Sequence, residues 1–225
     1  MNLKAVLFDL DGTLLDTAPD FVTTVNRLMR EENLSDIPAE RTRKTVSNGA
    51  RALINMAFGL GFEEPDFDRL HKRLLEIYTE QLAVDTVPFP GIQNILSFLG
   101  ANHIPWGIVT NKSITYTQPI LDALAFNPAP ASVICPDHVE KNKPDPESLF
   151  LACEQLNCQT NEIIYIGDHK RDIICGQRAG SKTIAAIYGY VPEGDNPADW
   201  NADYIVDSAL DILPIVKKYL HQSSL

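Results

Sequence analysis

Short apolar runs that end in polar turns mark the predicted strands of this chain. The first run is Ala5–Phe8, which is followed at once by Asp9, and four similar runs occur much later. Those four runs are 106–109, 132–135, 163–166 and 183–186. Segments with helical spacing of apolar residues separate them. Continuous apolar strands that alternate with helices are typical of a parallel sheet covered on both faces. The pattern therefore predicts a doubly wound α/β core with a Rossmann-like parallel sheet.

The segment between Asp16 and Pro88 has a different pattern. It contains no buried-strand run, and its apolar residues recur at helical spacing. These residues are Phe21, Val25, Leu28 and Met29, then Leu53, Ile54, Ala57 and Phe58, then Leu70, Leu74, Leu75 and Tyr78. Residues 88–91 (Pro-Phe-Pro-Gly) are typical of a linker. We therefore predict an all-helical cap domain at 17–87, inserted into a core formed by residues 1–16 and 88–225.

The composition indicates a folded chain with little attraction for polyanions. Of the 225 residues, 44% are hydrophobic, which is ordinary for globular proteins and argues against disorder. Thirty acidic residues outnumber 19 basic ones, and the formal net charge is −11. This balance disfavours nucleic acid and anionic membranes as partners. An anionic metabolite would bind only where local cations or a metal reverse the charge.

The cysteines and the apolar stretches indicate no further site. The four cysteines form no C-x-x-C pair and show no zinc-site spacing to histidine, so we expect them to be reduced. They are Cys135, Cys153, Cys158 and Cys175. No apolar stretch approaches the roughly 18 residues of a membrane helix, and the first run meets Asp9 too soon for a signal peptide. We expect a cytoplasmic protein, a monomer or a homodimer, with no membrane partner.

Two acids stand at the end of the first predicted strand, in the sequence Asp9-Leu10-Asp11-Gly12-Thr13. Residues two apart on a strand project from the same face, so both carboxylates meet one site. Open α/β sheets bind ligands at the carboxyl ends of their strands. The motif therefore indicates chemistry at this edge. The alternative is a turn in which Asp, Gly and Thr only satisfy backbone groups.

Three further segments follow later strands. Thr110 and Asn111 end the strand at 106–109, where hydroxyl, amide and backbone N–H groups can hold phosphate oxygens. Lys143 stands before the next predicted helix, and residues 167–172 (Gly-Asp-His-Lys-Arg-Asp) place another acid on the same carboxyl edge. Each segment alone has an ordinary alternative: a turn, a surface lysine or a helix N-cap. Together they favour one polar site at the edge of the sheet.

In order and topology these motifs resemble those of the haloacid dehalogenase superfamily, in its phosphatase branch with a helical cap after the first motif. The similarity covers nearly the whole chain and includes DxDGT, the threonine, the lysine and GDxxxD. Within that branch the chain resembles phosphoglycolate phosphatases. The cap segment at 46–51 is also similar to that of phosphatases acting on N-acetylmuramic acid 6-phosphate.

The resemblance implies a role for each motif residue. Asp9 would be the nucleophile that forms an aspartyl-phosphate, and Asp11 the general acid and base. The other implied catalytic residues are Thr110 and Lys143, with Thr13 and Asn111 binding substrate. Mg²⁺ would be held by Asp9, the backbone carbonyl of Asp11 and Asp168, since few oxygen-only ligands suit this ion. Asp172 would orient Lys143 or metal-bound water.

The second acid also distinguishes reactions within the superfamily. True dehalogenases resemble this pattern but lack the acid at the position of Asp11. A phosphatase must protonate a leaving alkoxide and then activate water, which one acid can do in turn. The expected activity is therefore phosphomonoester hydrolysis. A phosphomutase of the same fold, or a non-enzymatic acceptor whose aspartyl-phosphate persists, remains an alternative.

The predicted cap carries a second candidate group. Asn48 and Gly49 precede Arg51, whose guanidinium could bind a further anionic group of the substrate. The alternative is a helix N-terminus with an exposed arginine. Lys112 and His169 are expected at the rim. We expect a small phosphorylated metabolite as substrate, with phosphoglycolate as the first choice and N-acetylmuramic acid 6-phosphate or another sugar phosphate as the alternative.

Overall fold

A computed structural model describes residues 2–221 of the chain. Its strands are β1 (Ala5–Phe8), β2 (Leu15–Asp16), β3 (Val87–Pro88), β4 (Trp106–Val109), β5 (Ser132–Ile134), β6 (Ile163–Gly167), β7 (Lys182–Ala186) and β8 (Tyr204–Val206). Its helices are α1 (Ala18–Glu31), α2 (Ala39–Arg43), α3 (Ala50–Phe58), α4 (Phe67–Gln81), α5 (Ile92–Ala101), α6 (Ile114–Leu124), α7 (Glu147–Gln155), α8 (Lys170–Ala179) and α9 (Ile212–His221).

Six strands form one parallel sheet in the order β5-β4-β1-β6-β7-β8. In register, Phe8 of β1 lies opposite Ile108 of β4 on one side and Ile166 of β6 on the other. Strand order reverses beside β1, because β4 and β5 extend one way and β6 to β8 the other. Such a reversal leaves a crevice at the carboxyl ends of the strands. The predicted doubly wound α/β core is confirmed.

Both faces of this sheet are covered. Val6 and Phe8 of β1 lie in an apolar cluster with α5 and α9, whereas Ala5 and Leu7 lie in a second cluster with α7 and α8. Side chains alternate between faces along a strand, and every residue of β1 is buried. This explains why the strand is a continuous apolar run in the sequence.

The helices α1 to α4 form the predicted cap. Apolar faces of these helices pack together, and Phe21 of α1 stacks on Tyr78 of α4 with ring centroids 4.1 Å apart. The chain enters the cap through β2 and leaves it through β3, and these two strands lie side by side as an antiparallel pair. The exact boundary at 17–87 stays a prediction.

Asp16 in this two-stranded ribbon is held from both sides. The guanidinium of Arg43 in the cap lies 2.9 Å from its Oδ1, and the hydroxyl of Tyr190 in the core donates to the same oxygen at 2.7 Å. The cap therefore rests on the core next to the sheet edge that carries Asp9.

All four cysteines are free, as expected. Among the helices of residues 2–221, none has the length and apolar character that crossing a membrane requires.

Candidate active site

The end of β1 places Asp9 at the centre of the sheet edge. Its N–H donates to the Ile166 carbonyl at 2.8 Å, so the ladder continues one residue beyond the strand. Gly12 then turns the chain with φ of +81°, and a Cβ there would lie 2.1 Å from Oδ2 of Asp168. Only glycine satisfies both the positive φ and the close approach. The turn packs the first motif directly against Asp168.

Lys143 joins two of the acids. Its Nζ lies 2.9 Å from Oδ1 of Asp9 and 2.7 Å from Oδ1 of Asp172, and its side chain is 1% exposed. It also donates to the Val109 carbonyl and the Tyr165 hydroxyl, each at 3.0 Å. Burial opposes the charged ammonium, but Asp172 and Asp9 together raise the pKa of Lys143 above its ordinary value. Asp172 therefore holds Lys143 against Asp9.

The three buried acids repel one another. Burial raises the pKa of Asp9 to about 6, and Asp172 adds to this rise although Lys143 opposes it. Burial, followed by the charges of Asp9 and Asp172, raises the pKa of Asp168 to about 8. One ammonium thus stands against three carboxylates. The site holds a surplus of negative charge that a cation would neutralise.

This cluster fits a metal ion. Asp9, Asp168 and Asp172 each offer an oxygen, and the three atoms lie within 4.8 Å of one another. An all-oxygen set of carboxylates suits hard divalent cations. Asp168 is fully buried and accepts hydrogen bonds from Thr13 Oγ1 at 3.3 Å and the Tyr190 N–H at 2.9 Å, which fix its orientation. The residues present therefore fit a resident metal.

The second acid of the first motif has different partners. Asp11 accepts from the Thr17 hydroxyl at 2.6 Å and lies 3.0 Å from Nζ of Lys112. The expectation that Lys112 lies at the rim is wrong: its side chain is only 7% exposed. Its Nζ also donates to the Tyr78 hydroxyl at 2.7 Å and lies 4.9 Å from the centre of the Phe21 ring. A carboxylate and two aromatic rings of the cap compensate its burial.

A single turn of the cap reaches the buried acids. It is the 3-10 turn Val46–Asn48, in which Ser47 Oγ donates to Oδ2 of Asp168 at 2.9 Å. Nη2 of Arg171 donates to the Ser47 carbonyl, and Asn48 Oδ1 lies 3.2 Å from Nε2 of His169. Burial lowers the pKa of His169 to about 4. The first turn of α8 thus anchors the cap turn from the core side.

The motif residues after β4 tie two loops together. Asn111 Nδ2 donates to the Lys143 carbonyl, and the Lys143 N–H donates to Asn111 Oδ1, both at 3.1 Å. Thr110 accepts at its Oγ1 from the Lys112 N–H at 3.2 Å. These bonds place the Thr110 loop and the Lys143 loop on the same side of Asp9.

Cap and core enclose a pocket of about 350 Å³ above Asp9. The candidate residues that line it are Asp9, Asp11, Thr110, Asn111, Lys143, Asn48 and Gly49. Thr13, Asp168 and Asp172 lie beneath it, fully buried. Arg51 is not among the lining residues: it is exposed, and its guanidinium lies 4.7 Å from the Phe67 ring centre and 5.0 Å from that of Phe62.

Sequence reasoning did not single out several residues that line this pocket. They are Tyr78, Tyr116, Asn142 and Arg171. Arg171 had a usable signal, since it lies in the segment 167–172 at the predicted sheet edge. The aromatic residues had none, because their helical spacing is equally typical of a cap core.

Comparisons with known proteins agree with this geometry. The family model described as haloacid dehalogenase-like hydrolase matches residues 6–186. The chain is 43% identical over 220 residues to an N-acetylmuramic acid 6-phosphate phosphatase of Pseudomonas aeruginosa, covering 98% of this chain and 97% of that one. It is 36% identical over 204 residues to a phosphoglycolate phosphatase of Xanthomonas campestris, covering 91% and 92%.

A solved structure shows the same architecture. A crystal structure described as a predicted phosphoglycolate phosphatase from Haemophilus somnus superposes with a TM-score of 0.85 at 26% identity, covering 96% of this chain and 99% of that one. Family match, relatives and acid cluster together show that the chain belongs to the haloacid dehalogenase-like hydrolases and is a phosphatase, a phosphoric monoester hydrolase that acts on a small phosphorylated metabolite.

Proposed function

We propose that this phosphatase hydrolyses N-acetylmuramic acid 6-phosphate. The observation that carries the proposal is the 43% identity over nearly the whole chain, cap included, to a phosphatase of that name. A second such phosphatase, of Pseudomonas putida, is 40% identical over 98% of the chain. The phosphoglycolate phosphatase of Xanthomonas campestris is 36% identical. These values favour the sugar phosphate over phosphoglycolate, which the sequence alone placed first.

The pocket supports a substrate larger than a two-carbon acid. Its volume of about 350 Å³ lies in the range of roughly 300–1,000 Å³ found for pockets that enclose drug-sized ligands. On the cap side it is lined by the apolar and aromatic residues Phe21, Val46, Leu75, Tyr78 and Tyr116. Such a wall suits the ring of a sugar better than the short chain of phosphoglycolate, which would leave most of the space empty.

The reaction follows from the two acids of the first motif. A carboxylate oxygen of Asp9 attacks phosphorus, the new O–P bond forms as the ester P–O bond breaks, and Asp11 in its protonated form gives its proton to the leaving sugar oxygen. Asp11, now ionised, takes a proton from water, and the hydroxide oxygen attacks the aspartyl-phosphate. Inorganic phosphate leaves and Asp9 is restored.

The surrounding residues prepare these steps. Lys143 neutralises charge beside Asp9, and Asp172 holds Lys143 in place. Thr110 and Asn111 line the pocket where phosphate oxygens would lie. We assign the metal as Mg²⁺, held by Asp9, Asp168 and the carbonyl of Asp11. When bound, it would neutralise phosphate oxygens that otherwise repel Asp9.

A substrate comparison tests the proposal. We expect kcat/KM in Mg²⁺ to be highest for N-acetylmuramic acid 6-phosphate when it is measured beside N-acetylglucosamine 6-phosphate and phosphoglycolate. Asp9→Asn, purified in the same way, is the control for contaminating phosphatases. A higher kcat/KM for phosphoglycolate would overturn the assignment. Turnover that requires a bisphosphate activator would indicate a phosphomutase instead.

A further inference from the structure

Three cations line the pocket, and they differ in their partners. Lys143 is paired with Asp9 and Asp172, and Lys112 is paired with Asp11. Arg171 also lines the pocket, but among residues 2–221 it forms no ion pair with a carboxylate. It therefore supplies the unpaired positive charge of the pocket lining.

Arg171 has more N–H donors than the one that bonds to Ser47. Its guanidinium carries five N–H groups, of which Nη2 donates to the Ser47 carbonyl. That carbonyl orients the guanidinium but leaves its charge uncompensated. The residue is half-buried, so water screens the charge only in part. A ligand carboxylate would accept two parallel N–H hydrogen bonds from this planar guanidinium.

Within residues 2–221, the cation paired with Asp9 is Lys143 and not Arg171. Positive charge for the phosphate would come from Lys143 and, when bound, from the metal held next to Asp9. Arg171 instead contacts the cap turn through Ser47. A substrate held by both groups needs a second anionic group besides its phosphate.

We propose that Arg171 binds the carboxylate of the substrate and so determines its specificity. The inference rests on the proposed function, because N-acetylmuramic acid 6-phosphate carries a lactyl carboxylate on O3 of the sugar and its phosphate on C6. It assigns to Arg171 the role that the sequence alone suggested for Arg51. Arg51 stacks on Phe62 and Phe67 outside the pocket lining.

Isosteric substrate pairs test the inference. One pair is N-acetylmuramic acid 6-phosphate and its lactyl carboxamide; the other is phosphoglycolate and its carboxamide. Within a pair only the charge of one group changes. In the pair that the wild-type enzyme turns over faster, we expect it to prefer the acid in kcat/KM by about 10- to 100-fold, the range for one hydrogen-bonded ion pair. Arg171→Gln should reduce this acid-to-amide ratio nearly to one, and Arg171→Lys should give an intermediate ratio.

The controls separate recognition from support of the cap turn. Arg178→Gln removes an exposed arginine of the same helix, whose Nη1 donates to the Pro144 carbonyl, and should leave the ratio unchanged. Equal loss on acid and amide in Arg171→Gln would mean that Arg171 only holds Ser47, and would overturn the inference. If Arg171→Gln does not fold, an unchanged ratio in Arg171→Lys overturns it.

The two proposals fail in different ways. Preference for phosphoglycolate over the sugar phosphate would refute the proposed substrate, and the ratio within the phosphoglycolate pair would still test Arg171. A wild-type enzyme that does not distinguish acid from amide in either pair refutes the role of Arg171. If Arg51→Gln reduces the acid-to-amide ratio and Arg171→Gln does not, the carboxylate is bound by Arg51 of the cap helix α3 instead.

Discussion

At the scale of single residues, Lys143 sets the charge balance at Asp9, which we propose as the nucleophile. It is buried among two carboxylates, a carbonyl and a hydroxyl, and Asp172 and Asp9 hold its pKa above the ordinary value. An ammonium in this position limits the rise in the pKa of Asp9 that burial causes, so that this pKa is about 6. Above that pH the proposed nucleophile is mostly a carboxylate before any substrate binds.

The two acids of the first motif should be separable by mutation. Asp9→Asn should abolish phosphoryl transfer, because an amide is a far poorer nucleophile. Asp11→Asn should retain part of the first step with an activated aryl phosphate, whose leaving group needs little protonation, but should lose the base for hydrolysis. Rapid mixing should show a burst approaching one equivalent per active site and then slow release.

An alkyl phosphate should give no burst in Asp11→Asn, because its leaving group needs the acid. Asp122→Asn, which changes an exposed aspartate of α6, is the matched control and should behave as the wild type. A folded Asp11→Asn protein that shows neither a burst nor a trapped phosphoenzyme would contradict the division of roles.

Lys112 provides a stability test at the same scale. Lys112→Met keeps the length of the side chain but removes the donor to the Tyr78 hydroxyl and leaves Asp11 with the Thr17 hydroxyl alone. We expect the free energy of unfolding to fall by about 1–3 kcal/mol, the usual penalty for an unsatisfied buried group. Urea unfolding at neutral pH measures it.

Lys182→Met is the control for that experiment, because Lys182 pairs with Asp203 at the surface with 43% of its side chain exposed. Exposed pairs contribute only about 0–1 kcal/mol. Equal losses in the two variants would mean that the burial of Lys112 adds nothing to stability.

Sequence reasoning predicted which motif residues share the edge but not every partner. Asp9, Thr110 and Lys143 could be placed together because the carboxyl ends of parallel strands meet at one edge. The burial of Lys112 depends on Phe21 and Tyr78, which belong to distant cap helices. Such a contact follows from how the cap docks, which local patterns do not encode.

At the scale of elements, the cap turn Val46–Asn48 contacts the core, and one of these contacts is made by the Ser47 side chain. Ser47 Oγ spans from the cap to Asp168 in the core. The pKa of Asp168 is about 8, so this acceptor is charged above pH 8, where such a hydrogen bond contributes about 1.5–3 kcal/mol. Removing it should favour states in which this turn leaves the core.

Ser47→Ala should therefore increase amide hydrogen exchange in the turn, by about tenfold or more for a bond of this strength. The reporting amides are those of Asn48 and Gly49, which donate to carbonyls of the turn. Thr45→Ala is the control, because Thr45 Oγ1 bonds only to the Arg41 carbonyl within the cap. Equal exchange in wild type and Ser47→Ala would show that the contact does not hold the turn.

The strands show what an apolar pattern can and cannot predict. The five buried runs all became strands, because burial on both faces requires continuous apolar residues. β8 was not predicted: it is a three-residue edge strand, and its Ile205 is 45% exposed. β2 and β3 have two residues each, too few to show a period.

At the scale of the whole molecule, an acidic chain must bind an acidic substrate. The formal net charge is −11, and three carboxylates lie within 4.8 Å of one another beneath the pocket. The fold gathers Lys112, Lys143 and Arg171 at that pocket, and the metal would supply the remaining positive charge. Without metal, repulsion among Asp9, Asp168 and Asp172 destabilises the folded state relative to the unfolded chain.

The sign of the pH dependence follows from Asp168. Burial and its acidic neighbours raise its pKa to about 8, above the ordinary value near 4. The folded state therefore binds its proton more tightly than the unfolded chain does. The contribution of this proton to the stability of the folded state is fully present below about pH 4 and is lost as the pH rises through 8. The metal-free protein should be less stable at pH 8 than at pH 6.

Mg²⁺ should restore the stability that the metal-free protein loses between pH 6 and pH 8. Asp168→Asn should remove both the pH dependence and the stabilisation by Mg²⁺. At 100 times Kd a ligand adds about 2.7 kcal/mol, which corresponds to roughly 5–10 °C in Tm for a chain of this size. Thermal unfolding at pH 6 and 8, with chelator or with Mg²⁺, measures these shifts in wild type, Asp168→Asn and the control Asp122→Asn. We expect the asparagine at 168 to raise the Tm of the metal-free protein at pH 8 and to abolish the response to Mg²⁺. If Mg²⁺ raises the Tm of Asp168→Asn as much as that of the wild type, the metal is held elsewhere. The Asp168 carboxylate would then be neither a ligand of the ion nor a source of the repulsion that the ion relieves.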